Sequence, residues 1–337
     1  MIGIKAFARC CVEPMRPVAP LTMMPIVWLA IVDSEIAASE GRLLRDYAMP
    51  VAPVSTESKV PRHIVCLTFD FDTQSGFIAR GMTSPTALSR GEFGLVGAQR
   101  ILALLKAHGI RATWFIPGFT IESHPRACEA VVRDAHEVAH HSWAHIPPAQ
   151  QTRVEEEADL VRANDAIAKL TGRKARGYRS PSWDLSDNTI DLLLTHGFLY
   201  DSSLMGADYW PYRARRGDRA ELGKPYRFGE ETTLIEMPIS WSLDDHPHFE
   251  FLRTSTAVLP GLQSARTVME NWLDEFRYMR QTVDWGVLTY TMHPYVIGRG
   301  YRMLALEGLL KDLIAAGAVF MTMEDAASEV QARMFAP

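Results

Sequence analysis

The chain has 337 residues, 47% of them hydrophobic and 22% charged, with a formal net charge of -5. That composition suits a globular protein, and the scattered Lys and Arg residues exclude a nucleic-acid-binding face. Four cysteines, Cys10, Cys11, Cys66 and Cys128, form no Cys-x-x-Cys pair, so neither a disulfide framework nor a thiolate metal site is expected.

Residues 1–60 read as an N-terminal extension. Their apolar run, residues 21–32, is broken by Pro25 and is shorter than the roughly twenty residues a bilayer requires. Lys5, Arg9 and Arg16 precede it, and Ala37-Ala38 loosely imitates a cleavage site. The segment is therefore either leader-like or an upstream start, with Met49 as the alternative first residue. No stable membrane span is expected, and a cytoplasmic location is expected over a secreted one.

From residue 61 to about residue 330 strand-like and helix-like segments alternate. Residues 63–69 form an apolar run rich in β-formers, and residues 96–108 carry helical spacing that stops at Gly109, a suitable cap. Residues 111–116 predict a second strand, 125–134 a helix and 137–139 a very short strand. The pattern continues with helices at 152–170, 188–196, 264–281 and 307–316, and with strands at 177–179, 198–200, 234–238, 286–292 and 318–321. Repeated β-then-α units imply a parallel sheet covered by helices, and seven or eight of them fit a distorted, TIM-like (β/α) barrel. Residues 205–233 lack periodicity and are rich in Arg, Gly, Pro and aromatics, so they read as a long loop over the barrel mouth.

The notable polar residues follow strands. Asp70 and Asp72 are two apart and share one face of an extended chain. Two such carboxylates repel unless a cation or shared proton relieves them, although an Asp at a strand end also serves as an ordinary cap. His136, His140, His141 and His145 fall within ten residues. His141 and His145 are four apart, one side of a helical turn, but so are His136 and His140, and spacing alone leaves the register open. Two imidazoles and a carboxylate suit a divalent ion such as Zn²⁺; a solvated histidine-rich turn is the competing reading.

The stretches Leu67-Thr-Phe-Asp70, His136 to His145, Arg179-Ser-Pro181, Tyr200-Asp-Ser-Ser203 and Thr291-Met-His-Pro294 resemble the successive motifs of polysaccharide deacetylases. These are the NodB-homology enzymes of carbohydrate esterase family 4, and the resemblance covers about residues 60–330. It implies one divalent ion, zinc by preference, held by Asp72, His141 and His145. It further implies Asp70 as catalytic base oriented by Arg179, and His293 as catalytic acid with Asp201 as its partner. Phe71 separates the two acids, Pro294 replaces a usual acid, and Trp183 stands where a small residue is common. With Ser89-Arg-Gly-Glu-Phe-Gly94 and Trp241-Ser-Leu-Asp-Asp245, these departures resemble a branch of peptidoglycan-deacetylase-like, allantoinase-like and cyclic-imide-hydrolase-like proteins.

The implied function is hydrolysis of a non-peptide amide C–N bond, foremost deacetylation of an N-acetylated sugar. Ring opening of a small cyclic amide or imide is the alternative, favoured if residues 205–233 narrow the mouth, and a non-catalytic carbohydrate-binding module is a third reading. Trp183, Trp210, Tyr212, Trp241, His246 and Phe249 are candidates for the pocket wall, with ordinary packing as the competing role of each. Glu92 is a further candidate in the cleft. Asp244 and Asp245 either contact substrate or cap a turn. The resemblance also implies a homo-oligomer.

Overall fold

The structure, a computed structural model, describes residues 61–253 and 258–334. The expected N-terminal extension, with Cys10 and Cys11, lies outside the described residues. Strand β1 (Arg62–Asp70) is central, with everything after Arg62 buried. It pairs in parallel with β2 (Thr113–Ile116) on one side and β10 (Trp285–Met292) on the other. Beyond β2 the order continues through β3 (Glu137–His140), β4 (Gly177–Tyr178), β5 (Tyr200–Asp201) and β7 (Glu230–Glu236), with β6 (Tyr212–Arg216) at the edge. The short β8 (Leu252–Arg253) and β9 (Val258–Leu259) pair with each other as a separate antiparallel ribbon, and the short β11 (Val319–Phe320) also pairs with the start of β1. The sheet curls into a half-barrel, and Val287 N–H donates to Tyr209 O at 3.0 Å to link β10 to the segment before β6.

Alternation along β1 divides the core. Val65, Leu67 and Phe69 join the layer beneath the helices, whereas Ile64 and Cys66 face the inner side. Trp114 on β2 is fully buried, 4.8 Å from the Phe69 ring and edge-on to Phe71 at 5.6 Å. Truncating such a side chain to Ala costs roughly 3–5 kcal/mol.

The helices begin with α1 (Ser75–Ala79) and α2 (Pro85–His108). Helix α2 starts eleven residues before the expected 96, with Ser84 as cap and Pro85 at its first position. Gly91, Gly94 and Gly97 had hidden the start by diluting the apolar periodicity. Two of these glycines place the site. A Cβ on Gly91 would lie 2.3 Å from Thr73 O, and one on Gly97 would lie 1.9 Å from Pro294 O. Only bare backbone lets α2 lie directly on the segments that carry Asp72 and His293.

After β2 come α3 (Gly118–Ser123), α4 (Pro125–Arg133) and α5 (Arg153–Thr171), the last opened by a capping box between Thr152 and Glu155. Helices α6 (Thr189–Thr195), α7 (Asp245–Phe249), α8 (Ala265–Thr282), α9 (Pro294–Ile297), α10 (Gly300–Ala315) and α11 (Met323–Met334) follow. Met323, Ala326, Ala327 and Val330 of α11 pack with Ile64 and Cys66 on the inner side. No described helix is long and apolar enough to cross a membrane.

Residues 205–233 correct the expected loop over the mouth. Tyr212 pairs with Glu236 and Arg216 with Glu230, so β6 and β7 form an antiparallel hairpin. Glu230 begins β7, which runs parallel to its neighbour β5. The connection from Arg216 to Glu230 therefore emerges at the N-terminal end of the sheet, opposite the motif residues. An edge hairpin has little apolar face, which is why no periodicity marked it.

Candidate active site

The motif side chains leave the sheet at the C-terminal ends of parallel strands, where barrels of this kind gather their loops. Asp70 closes β1 and Asp72 follows it; His141 and His145 follow β3, Arg179 follows β4, and His293 follows β10. His141 Nε2 lies 3.5 Å from Asp72 Oδ1, and His145 Nε2 lies 3.3 Å from Asp72 Oδ2. All three residues are buried, with their ligand atoms within 4.8 Å of one another.

These residues fit a metal. A tetrahedral zinc ion with bonds of about 2.0–2.1 Å spaces its ligand atoms about 3.3 Å apart. Asp72 Oδ1 is buried without a hydrogen-bond partner, an expensive state for a carboxylate unless a cation faces it. The His141 Nδ1–H donates to Arg179 O at 2.8 Å, which leaves the Nε2 lone pair toward Asp72. Burial pushes the His141 imidazole pKa down, keeping the ring in the neutral form that ligates. Burial opposes charge on Asp72, yet the imidazoles of His145, His141 and His293 hold its carboxyl well below the usual range.

The expected helical turn between His141 and His145 does not form. Residues 141–147 are a bent loop in which Ser142 and His145 have φ of 57° and 59°. Asp159 holds it from α5, accepting from Trp143 N–H at 2.7 Å and Ala144 N–H at 3.2 Å, and Ser142 Oγ accepts from His145 N–H at 2.8 Å. His140 is scaffolding: it donates Nε2–H to Leu160 O and accepts Ser142 N–H at Nδ1. His136 accepts from Ala112 N–H, away from the ligands.

Arg179 is fully buried and donates to Asp70 Oδ1 at 2.8 Å and Thr68 Oγ1 at 2.9 Å. It also donates to Ser202 O and Oγ, and its guanidinium lies 4.1 Å from the Phe115 ring centroid. Asp70 Oδ2 is 3.9 Å from His141 Nε2 on one side of the ligand cluster. On the other side His293 Nε2 is 3.9 Å from Asp72 Oδ2.

The partner of His293 is Asp245, not Asp201. Asp245 Oδ1 accepts from Nδ1 at 2.8 Å, and both its oxygens accept the His293 backbone N–H at 3.1 and 3.0 Å. Burial would push the His293 imidazolium pKa down, but Asp244, Asp245 and Asp72 raise it to about 10. Asp201 instead accepts from Ser203 Oγ at 2.7 Å, and Glu236 accepts from the Ser203 and Leu204 amides. The sequence offered one usable signal for the true partner: two adjacent acids in the segment that follows β7. Asp244 takes the cap role left open for it, accepting from His246 N–H at 2.7 Å.

The proposed wall residues separate. Trp183 and Trp241 stack at 4.0 Å beside the site, with Trp241 42% exposed, and His246 lies 5.3 Å from His293. Trp210 packs 5.9 Å from Trp285, the first residue of β10, whereas His293 follows the last residue of that strand. At about 3.3 Å per residue this is the far end of the sheet. The Tyr212 hydroxyl accepts from Gly206 N–H, and Phe249 is fully buried beneath Arg302, so both serve the fold. Glu92 is exposed on α2, and the imidazole it acts on is His124.

A half-barrel with a buried carboxylate–imidazole cluster, flanked by a second carboxylate and an imidazole, is an arrangement suited to hydrolysis. The polysaccharide deacetylase family matches residues 57–200. A peptidoglycan deacetylase of Helicobacter pylori is 35% identical over 263 residues, 74% of this chain and 89% of that protein. A polysaccharide deacetylase structure from Mycobacterium smegmatis is 30% identical with a TM-score of 0.70, covering 85% of this chain and 95% of that one. The Puue allantoinase structure, 19% identical at TM-score 0.66 over 86% of this chain and 98% of that one, shares the fold. The chain belongs to the polysaccharide deacetylase family and is a hydrolase of carbon–nitrogen bonds other than peptide bonds.

Proposed function

We propose that the chain is a divalent-metal-dependent deacetylase releasing acetate from N-acetylated amino sugars of a polysaccharide. The observation that carries this reading is the buried Asp72–His141–His145 cluster with its unpartnered carboxylate oxygen, set between Asp70 and His293. The names of the relatives support the substrate class. The Arg216–Glu230 connection emerges at the other end of the sheet and does not narrow the mouth, which removes one argument for a small cyclic amide or imide substrate.

Asp72, His141 and His145 would hold a divalent ion, with zinc suited to that donor set, and such an ion would supply Lewis-acid polarisation of the amide carbonyl and a lowered pKa for water, from 15.7 to about 7. Asp70, oriented by the Arg179 hydrogen bond to Oδ1, takes a proton from the attacking water as its oxygen bonds the carbonyl carbon. His293 then gives its Nε2 proton to the nitrogen as the C–N bond breaks, leaving acetate and a free amine. Asp245 holds the imidazole through Nδ1 and stabilises its charged form. The stacked Trp183–Trp241 pair offers an apolar ledge for the sugar ring.

Acetate release from N-acetylglucosamine oligomers should disappear in chelator and return with zinc. Undiminished release in the metal-stripped protein overturns the metal assignment. Ring opening of hydantoin or succinimide with no acetate release overturns the substrate class.

A further inference from the structure

Arg80 ends α1, the short helix after Asp72, and is exposed. No carboxylate among the described residues pairs with it; its guanidinium rests 5.6 Å from the Phe77 ring centroid. Arg90 approaches the same ring at 5.5 Å but is neutralised by an ion pair with Glu250. One of the two cations flanking Phe77 is therefore satisfied within the fold and the other is not.

Gly76 fixes where the free cation sits. A Cβ there would lie 3.3 Å from Arg80 Nη2 and 3.5 Å from His145 Cε1, so the guanidinium and a candidate metal ligand flank the same bare backbone. His246 senses the charges of His293, Arg80, Asp72 and His145 together, and Tyr295 senses Arg80 together with Asp72, Asp245 and Asp244. Arg80 thus stands at the rim of the cleft that holds Asp72 and His293. A planar guanidinium fork without a protein partner is preorganised for a carboxylate. Its exposure puts it where substituents of a sugar would lie, outside the buried centre occupied by the reacting carbonyl.

We propose that Arg80 binds a carboxylate carried by the substrate beside the scissile acetamide, so that the preferred substrate is an anionic N-acetylated sugar. This rests on the deacetylase reading above and adds the chemistry that selects among its substrates. Arg80 is a specificity residue: it lowers the energy of binding one substituent and moves no proton.

The test is steady-state acetate release by the zinc-loaded full-length protein from two oligomers. One is neutral N-acetylglucosamine; the other alternates with N-acetylmuramic acid, whose lactyl ether places a carboxylate next to the acetamido group. The ratio of kcat/KM for the anionic over the neutral oligomer should fall about 10- to 100-fold in Arg80→Ala, mainly through KM, and less in Arg80→Lys. An unchanged ratio in Arg80→Ala overturns the proposal, as does an equal loss of kcat on both oligomers, which would place Arg80 at the reacting carbonyl. If the unaltered protein releases acetate from neither, the deacetylase reading falls and takes this one with it; an active protein with an unchanged ratio removes only the role of Arg80.

Discussion

Both ends of the sheet bury carboxylates, and they treat them oppositely. At the N-terminal end Glu137 accepts from Thr113 Oγ1 at 2.7 Å, Tyr200 OH at 2.7 Å and Glu324 N–H at 2.9 Å, while Met323 N–H donates to Thr113 Oγ1 at 2.7 Å. These bonds tie β2, β3 and β5 to the start of α11, and every oxygen in them is used. At the C-terminal end Asp72 Oδ1 has no partner. Thr73, Ser142, His145, Ser182 and Trp183, all on loops at that end, carry positive φ at roughly 1–3 kcal/mol each. The same fold spends its hydrogen bonds on cohesion at one end and holds unsatisfied, strained groups in place for chemistry at the other.

Substitutions at the two ends should therefore fail in different measurements. The largest effect is expected at the C-terminal end: Asp70→Asn should lower kcat about 10²–10⁴-fold with zinc still bound. Asp72→Ala should abolish both turnover and zinc binding, read by metal analysis, because it removes the carboxylate that His141 and His145 face. Asp245→Asn keeps an acceptor for the imidazole but removes its compensating charge, so kcat should fall about 10²- to 10⁴-fold. Glu137→Ala should do the reverse, costing roughly 3 kcal/mol of stability by stranding buried donors while kcat at 25 °C stays within about twofold. A Glu137→Ala protein that is folded and inactive would break the contrast between the ends.

Much of this division is written locally, and the rest is not. The apolar run of β1, the two-residue spacing of Asp70 and Asp72 and the histidine cluster are local, so strand, barrel class and the cluster itself were legible. The loop that brings His141 and His145 together was not, because its left-handed Ser142 and His145 are sustained by Asp159 from a distant helix. Asp245 meets His293 across 48 residues of sequence, a pairing no spacing encodes. Trp210 illustrates the converse: an exposed aromatic in a polar segment looks like a pocket wall until its ring is found against Trp285, at the start of β10.

The smallest expected effect concerns the buried acids that support the active-site loops from behind. Burial raises the Asp201 carboxyl to about 6, and it raises Glu236 beside it. Asp201 Oδ2 and Glu236 Oε2 lack other partners, so a proton between them relieves both. In the unfolded chain these groups titrate near 4. Their contribution to stability is thus fully present below about pH 4 and is lost as pH rises through 6, because the folded state holds a proton the unfolded state has released. In Asp201→Asn the side-chain amide supplies a permanent N–H toward Glu236. Calorimetry of the metal-free protein between pH 4 and 7 should then show Tm falling less steeply for the variant than for the unaltered chain. Identical slopes would mean that the pair is ionised in the fold, and that the support behind Arg179 is electrostatically no different from the satisfied cluster around Glu137.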